Sequence, residues 1–311
     1  MTKGNEQQEY LDDEIDLKEL FLSLWNERVF IAQITAAFAV LSIVVSLMMT
    51  NIYRSEAILS PNHSSNSLQS KYGSLASLAG IDLGKGETDK TTVAIETIKS
   101  RKFLEYLINK YKTFLPDLMA FDNWNADEKK VNYDSDLYDG KKWVREVDPP
   151  KKPQPSLQES HEAFSELISI SQDKKSSLVT ISIDHESPEL AKKWVDYVVS
   201  GINEITRDQD VEKAEKSIEY LKEQIQQTSV ADIQTGLFGL IESQLETVML
   251  AKATPEYLFS VIDPAVIPEL KHKPKRSLIV VLSTIIGFIA ACAFVLICKS
   301  VSAPKYASKY K

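Results

Sequence analysis

Apolar positions along this chain gather at two places. Val29–Met49 (VFIAQITAAFAVLSIVVSLMM) is 21 residues without a charge, bounded by Arg28 and Arg54. Ser277–Cys298 (SLIVVLSTIIGFIAACAFVLIC) is 22 uncharged residues between Arg276 and Lys299. A helix needs roughly 20 apolar residues to cross the hydrocarbon core, so each block predicts a membrane span. A buried core helix is rarely so long and so free of charge. The first block does not read as a cleaved signal either. Its apolar core is too long, its leader is acidic, and no small-x-small site follows.

Between the spans the pattern changes element by element. Tyr53–Ser60 alternates and stops at Pro61, which predicts a strand. Asn62–Asp89 is rich in Ser, Gly and Asn, with a short apolar patch at Leu75–Leu83. Thr91–Tyr111 places Ile95, Ile98, Phe103, Leu107 and Ile108 at helical spacing. Asp122–Gln154 is polar and reads as loop, closing on a Pro-rich linker at Asp148–Pro155. Leu157–Ser169 predicts a helix, and Ser177–His185 (SLVTISIDH) predicts the clearest strand. Ser187 and Pro188 then form a cap and first helical position. Phe259–Ile267 reads as a last strand returning towards the membrane.

Arg207–Lys252 carries the most telling pattern. Val211, Ala214, Ile218, Leu221 and Ile225 are spaced 3, 4, 3, 4, a heptad seam with charges around it. A continuous helix over this stretch would be about 69 Å long, against a diameter near 45 Å for a compact domain of the loop's size. The reading is therefore one long helix that projects, whose seam needs another helix or another subunit. The competing reading is two shorter helices broken around Thr228–Ser229, or at Gly236 and Gly239.

Charge adds a topology but leaves its orientation open. An even number of crossings puts both tails on one side. The N-terminal tail 1–28 carries three Lys/Arg and eight Asp/Glu, and the tail 299–311 carries four Lys and no acid. Basic residues near the spans only weakly favour tails inside, and long loops obey that rule poorly. The formal net charge of −8 argues against a nucleic-acid partner. A sensor with its own output domain is not expected after the second span. The two cysteines, Cys292 and Cys298, both sit in that span, so the loop has neither a disulfide framework nor thiolate metal ligands.

The candidate chemical motifs fail on spacing. Gly80-Ile81-Asp82-Leu83-Gly84-Lys85-Gly86 lacks the glycine spacing and the Ser/Thr of a phosphate loop. Asp134, Asp136, Asp139 and Gly140 suggest a calcium loop, but Tyr138 and Arg145 stand where ligands belong, leaving an acidic turn. The four histidines (His63, His161, His185, His272) form no metal-binding spacing, and no Gly-x-Ser-x-Gly elbow occurs. No catalytic residue, cofactor or metal site is expected. Two other patterns remain. Pro264, Pro268 and Pro274 with Lys271, Lys273, Lys275 and Arg276 make an extended, basic approach to the second span, suited to anionic headgroups. Ser283, Gly287 and Ala291 recur every four residues, a small-residue face on which another helix can pack closely.

In order and spacing, the chain resembles the Wzz-type polysaccharide co-polymerases, the O-antigen chain-length determinants of Gram-negative bacteria. The resemblance runs through Asp13-Glu14-Ile15-Asp16-Leu17 with Leu20 and Trp25, then Tyr53-Arg54-Ser55-Glu56-Ala57, Ser77-Leu78-Ala79-Gly80-Ile81 and Ser100-Arg101-Lys102-Phe103-Leu104. It continues through Leu178–Ser187 with Pro188, and Asp263-Pro264-Ala265. It implies an α+β membrane protein of the bacterial inner membrane, with cytoplasmic tails at 1–28 and 299–311 and spans at 29–49 and 277–298. It further implies a periplasmic α/β base within 50–276 bearing the long helix. The implied function is a non-catalytic homo-oligomer that sets the modal length of a lipid-linked glycan made by a separate polymerase of the Wzy type. A co-polymerase for capsule or enterobacterial common antigen is the alternative, followed by a periplasmic glycan-modifying enzyme. The tyrosine-kinase branch, with its cytoplasmic ATPase, is not expected.

Overall fold

The computed structural model describes residues 24–62, 90–227 and 229–302. The acidic leader, the stretch 63–89 with its glycine-rich loop, Thr228 and the lysines beyond Ser302 lie outside the described residues. In chain order the elements are α1 (Arg28–Met48), β1 (Tyr53–Pro61), α2 (Lys90–Ile98), α3 (Arg101–Lys110), α4 (Phe114–Met119), β2 (Phe121–Asn125) and β3 (Lys130–Tyr133). Then follow α5 (Leu157–Leu167), β4 (Ile168–Gln172), β5 (Val179–His185), α6 (Pro188–Gln227), α7 (Ala231–Ala253), β6 (Phe259–Asp263) and α8 (Arg276–Ser302). They form two compact units, residues 52–272 and the chain on either side of them.

The smaller unit is the antiparallel pair α1 and α8, both long and apolar enough to cross a membrane. Ile31, Ala291 and Val295 bury their side chains between them, and Phe30 lies 5.9 Å from Phe294. Most of the other apolar side chains are exposed, Met48 at 81% and Ile297 at 62%. That pattern suits a lipid solvent.

The larger unit is built on a four-stranded antiparallel sheet ordered β4-β5-β1-β6. β1 alternates as its sequence predicts, burying Ser55, Ala57 and Leu59. β5 buries Val179, Ile181 and Ile183 opposite it. Their apolar side chains join Phe103, Leu104 and Leu107 of α3 and Trp194, Val195, Val198 and Ile202 of α6 in one core. At the open end of the β1–β5 pair, Arg54 meets Asp184 through two hydrogen bonds of 2.6 and 2.8 Å. A bidentate guanidinium–carboxylate pair of this kind fixes register as well as adding energy.

Four elements differ from the sequence pattern. The helix expected over Thr91–Tyr111 is two, because Ser100 leaves the helical conformation and its Oγ accepts the Phe103 N–H, capping α3. The polar stretch 122–154 contains the hairpin β2–β3. It is held by the Asn132 Nδ2 to Asn123 Oδ1 bond of 2.9 Å and by Tyr133 donating to Asp117. The helix ending near Ser169 instead gives way to β4, where Ile168 and Ile170 turn to the sheet's apolar face. The strand expected over Phe259–Ile267 ends at Asp263. The start of α6 is as expected, with Ser187 Oγ accepting the Leu190 N–H, and Ser156 and Glu159 form a capping box on α5. Arg145 and the Ser156 N–H hold the Glu159 carboxyl down at about 2. The acidic turn spends its carboxylates on its own backbone, with Asp139 accepting the Lys141 and Lys142 N–H groups and Gly140 at φ +88°.

Among the described residues, His185 is the one histidine set deep in the core, 6% exposed between Phe121 and Trp194, with Nδ1 accepting the Ser187 N–H. Burial holds its pKa down at about 4. An unfolded chain takes up a proton near the ordinary value of about 6.5. The unfolded state therefore binds more protons between these values, and stability falls as pH drops from about 6.5 to 4, by about 3 kcal/mol from this group. Denaturant midpoints measured across that window should fall less steeply in His185→Phe than in the parent; equal slopes would show that the histidine does not set the acid limit.

Candidate functional site

The 40-residue helix α6 does two jobs along its length. Its first half lies on the sheet, and its second half carries the heptad seam. A helix confined to Arg207–Lys252 is not what forms. α6 begins at Pro188, ends at Gln227, and α7 starts at Ala231 and folds back along it. The physical reason is the seam itself. Ile218 and Leu221 are buried and Ile225 half-buried because α7 covers them with Leu237 and Ile241, whereas an unbroken helix would leave them in water; Ala214 is buried as well. Val211, the first seam residue, stays half-exposed. The pairing is antiparallel: Lys252, near the end of α7, reaches Glu215 at 3.6 Å, while Gln234, near its start, donates to the Ile225 carbonyl at 3.4 Å. On α7, Leu237, Ile241, Val248 and Ala251 follow the matching 4, 7, 3 spacing towards α6.

α7 also carries apolar residues that the hairpin does not cover. Phe238, Leu245 and Met249, spaced 7 and 4, are 58%, 47% and 70% exposed. The 7-and-4 spacing is the signal of this stripe in the sequence.

At the root of the hairpin, Asn203 is 5% exposed and saturates its amide. Its Oδ1 accepts the Leu258 and Phe259 N–H groups, both at 2.8 Å. Its Nδ2 donates to the Val199 and Phe259 carbonyls at 3.2 and 3.1 Å. One side chain thus ties the chain leaving α7 to the part of α6 that lies on the sheet. Tyr257 adds a second tie by donating to Asp210 at 2.9 Å. Beside this root, Pro264 and Ala265 line a cleft of about 360 Å³ together with Glu204 and Arg207. Lys110 pairs with Glu204 and holds its carboxyl below the ordinary range.

The membrane-proximal motif is distributed. In the larger unit, Pro264 and Pro268 stand on the extended chain after β6, which is held to β1 by Ser55 Oγ donating to the Val266 carbonyl at 2.7 Å. The His272 N–H donates to the Ile52 carbonyl at 2.8 Å. In the smaller unit, Pro274 and exposed Lys275 lead into α8, and Arg276 Nη2 donates to Asn51 Oδ1 at 3.2 Å. Among the described residues no group of three or more His, Cys, Asp or Glu could hold a metal ion.

The small-residue face of α8 meets α1. Ser283 Oγ lies 3.5 Å from the Phe38 carbonyl, Ala291 is fully buried, and a Cβ added at Gly287 would sit 2.6 Å from Phe38 Cβ. Glycine is required here by close approach. Gly287→Leu should therefore push the spans apart, an overpacking cost of about 1–3 kcal/mol. We expect normal membrane insertion with a broadened glycan length distribution, and partial recovery when Phe38→Ala is added. A ladder gel and a membrane-fraction blot measure both; an unchanged ladder would show that the span contact has no part in function.

Residues 13–111 match the family model of the Wzz chain length determinant protein, and residues 221–300 match GNVR, a G-rich domain on tyrosine kinases. The first match runs from the leader through α1, β1, α2 and α3, and the second from the seam through α7 and β6 to α8. No curated protein matches the sequence. Among solved structures, the chain is similar to a full-length bacterial polysaccharide co-polymerase at 14% identity, covering 94% of this chain and 100% of that one, with a TM-score of 0.38. It is also similar to a fragment of WzzB, the polysaccharide co-polymerase of Salmonella Typhimurium, at 12% identity over 72% of this chain and 100% of that one, with a TM-score of 0.27.

Proposed function

We propose that this chain, whose residues 13–111 match the Wzz chain length determinant model, is a polysaccharide co-polymerase that acts as a non-catalytic scaffold for a lipid-linked glycan, with lipopolysaccharide O-antigen as the glycan. It sits in the bacterial inner membrane with both termini cytoplasmic and the larger unit periplasmic. Copies assemble side by side, and their geometry decides when a separate Wzy-type polymerase stops elongating.

The observation that carries this reading is the family match at the first span, continued through β1, α2 and α3. The rest of the fold is consistent with it. The exposed Phe238, Leu245 and Met249 on α7 offer apolar contact area to a neighbouring copy.

A strain lacking the gene should make O-antigen of unregulated length, and restoring the gene should restore a modal length on a lipopolysaccharide ladder gel. If the ladder lost all polymer rather than its mode, the chain would make bonds itself and the scaffold reading would fail. If the ladder stayed normal while capsule or enterobacterial common antigen changed length, the glycan assignment alone would be wrong.

A further inference from the structure

Beside its packed seam, the α1–α8 pair carries a groove. It has a volume of about 650 Å³ and runs from Arg28 to Ala39 on α1, with Thr284, Phe288 and Cys292 of α8 as its other wall. Ala32, Ala36 and Ala39 line it beside the buried Ile31. Its two hydroxyls are already spent inside their own helices, Thr35 on the Ile31 carbonyl at 2.8 Å and Thr284 on the Val280 carbonyl at 2.7 Å. A polar ligand would thus find no free donor along the groove. At the mouth the character changes. Arg28 is exposed and its guanidinium lies 5.2 Å from the centre of the Trp25 ring, a stacking that holds the cation over the opening. Its neighbour Glu27 is exposed as well.

The length is informative. From Arg28 to Ala39 a helix advances about 16 Å, about half of the ~30 Å hydrocarbon core. A groove of that length, starting at one interface, would reach the bilayer midplane, the depth of a single leaflet. An apolar slot one leaflet deep, closed at its outer end by a guanidinium, has the chemistry of a phospholipid: a chain along the alanines and a headgroup phosphate on the fork of Arg28.

We propose that this groove binds a membrane phospholipid of the leaflet on the side of the two termini, with its phosphate on Arg28 and one acyl chain against Ala32, Ala36 and Ala39. The lipid completes the lateral surface of the span pair. With the termini on the cytoplasmic side it lies in the leaflet opposite the growing glycan, so this is a structural lipid rather than the glycan's carrier.

The test uses the full-length protein extracted from its membrane in mild detergent, with retained lipid counted and identified by native mass spectrometry. The parent should keep phospholipid through delipidating washes. Arg28→Gln removes a charge-assisted contact of about 1.5–3 kcal/mol, so retention should fall about ten-fold or more. Ala36→Phe fills the slot without touching the charge and should lower retention similarly. Val44→Phe, on an exposed part of α1, should leave it unchanged. Circular dichroism of each variant confirms that the helices are intact. Equal retention in all four proteins would mean that the lipid is bound elsewhere, which overturns the proposal. Retention of an isoprenoid phosphate in place of phospholipid would overturn it too. So would efficient cross-linking between copies through Ala36→Cys in membranes, since the slot would then hold a second copy's span. None of these outcomes bears on whether the chain regulates glycan length.

Discussion

Leu221→Asp should open the helical hairpin and leave the glycan without a preferred length while polymerisation continues. Leu221 is 8% exposed and packs with Ile218 and Ile241 between α6 and α7. Removing it forfeits about 1.5–3 kcal/mol of burial, and a carboxylate in its place has no cation in the seam. Relief requires either a raised pKa or separation of the helices. We expect a loss of about 3–5 kcal/mol from the hairpin, seen as loss of amide-exchange protection in α7 and in the second half of α6. The sheet and the first half of α6 should keep theirs, because their core lies elsewhere. Tyr220→Asp is the matching control: it sits one residue away, is 60% exposed, and should change little. If Leu221→Asp kept a sharp modal band and full protection, the hairpin would be dispensable for length control. If all polymer disappeared, the protein would have a part in making the bonds.

The second large effect is expected at Asn203. Asn203→Ala leaves the Leu258 and Phe259 N–H groups without their acceptor in a place where Leu258 is 4% and Phe259 0% exposed. Each orphaned donor costs about 1–3 kcal/mol, so the two together cost about 2–6 kcal/mol. Asn203→Asp is the sharper probe. It keeps the acceptor for both N–H groups but aims a carboxylate at the Val199 and Phe259 carbonyls, which now receive a proton from Nδ2. Both variants should therefore be destabilised, and only a side chain that donates and accepts in this geometry should serve. The reading is thermal unfolding together with exchange protection at residues 258–261. Protection equal to the parent's in Asn203→Ala would mean that another group satisfies those amides, and the tie between α6 and β6 would not depend on this residue.

Both variants act where two parts of α6 meet different neighbours, and this bears on what the linear pattern could reveal. Local rules were sufficient for whatever depends on a solvent or on adjacent residues. Two uncharged runs of about 20 residues imply a lipid environment whatever lies between them. Alternation in Tyr53–Ser60 and Ser177–His185 marks strands because one side of each must meet a core. Ser187 with Pro188 announces a helix start because capping is settled within one turn. The order of short motifs from Tyr53 to Pro264 pointed to the chain length determinant family, and the family model matches over residues 13–111.

What remained depended on partners distant in sequence. The seam of Ile218 and Leu221 demanded a cover, but a heptad is satisfied equally by a neighbouring subunit and by the next turn of the same chain. Only the fold-back of α7 decides for the latter. The hairpin β2–β3 lies in a stretch that reads as polar, because an asparagine pair and a tyrosine on Asp117 hold it in place of a buried apolar face. Asn203 looks like any polar residue in a helix until Leu258 and Phe259, more than fifty positions on, bring their backbone to it. Gly287 stood out as one of three small residues, yet the tightness of the contact comes from Phe38 on the other span. Solvent preference, periodicity and capping are written in the sequence because they act over a few residues. Which surface covers which is decided by tertiary structure, because close packing and the pairing of buried polar groups are properties of two segments at once.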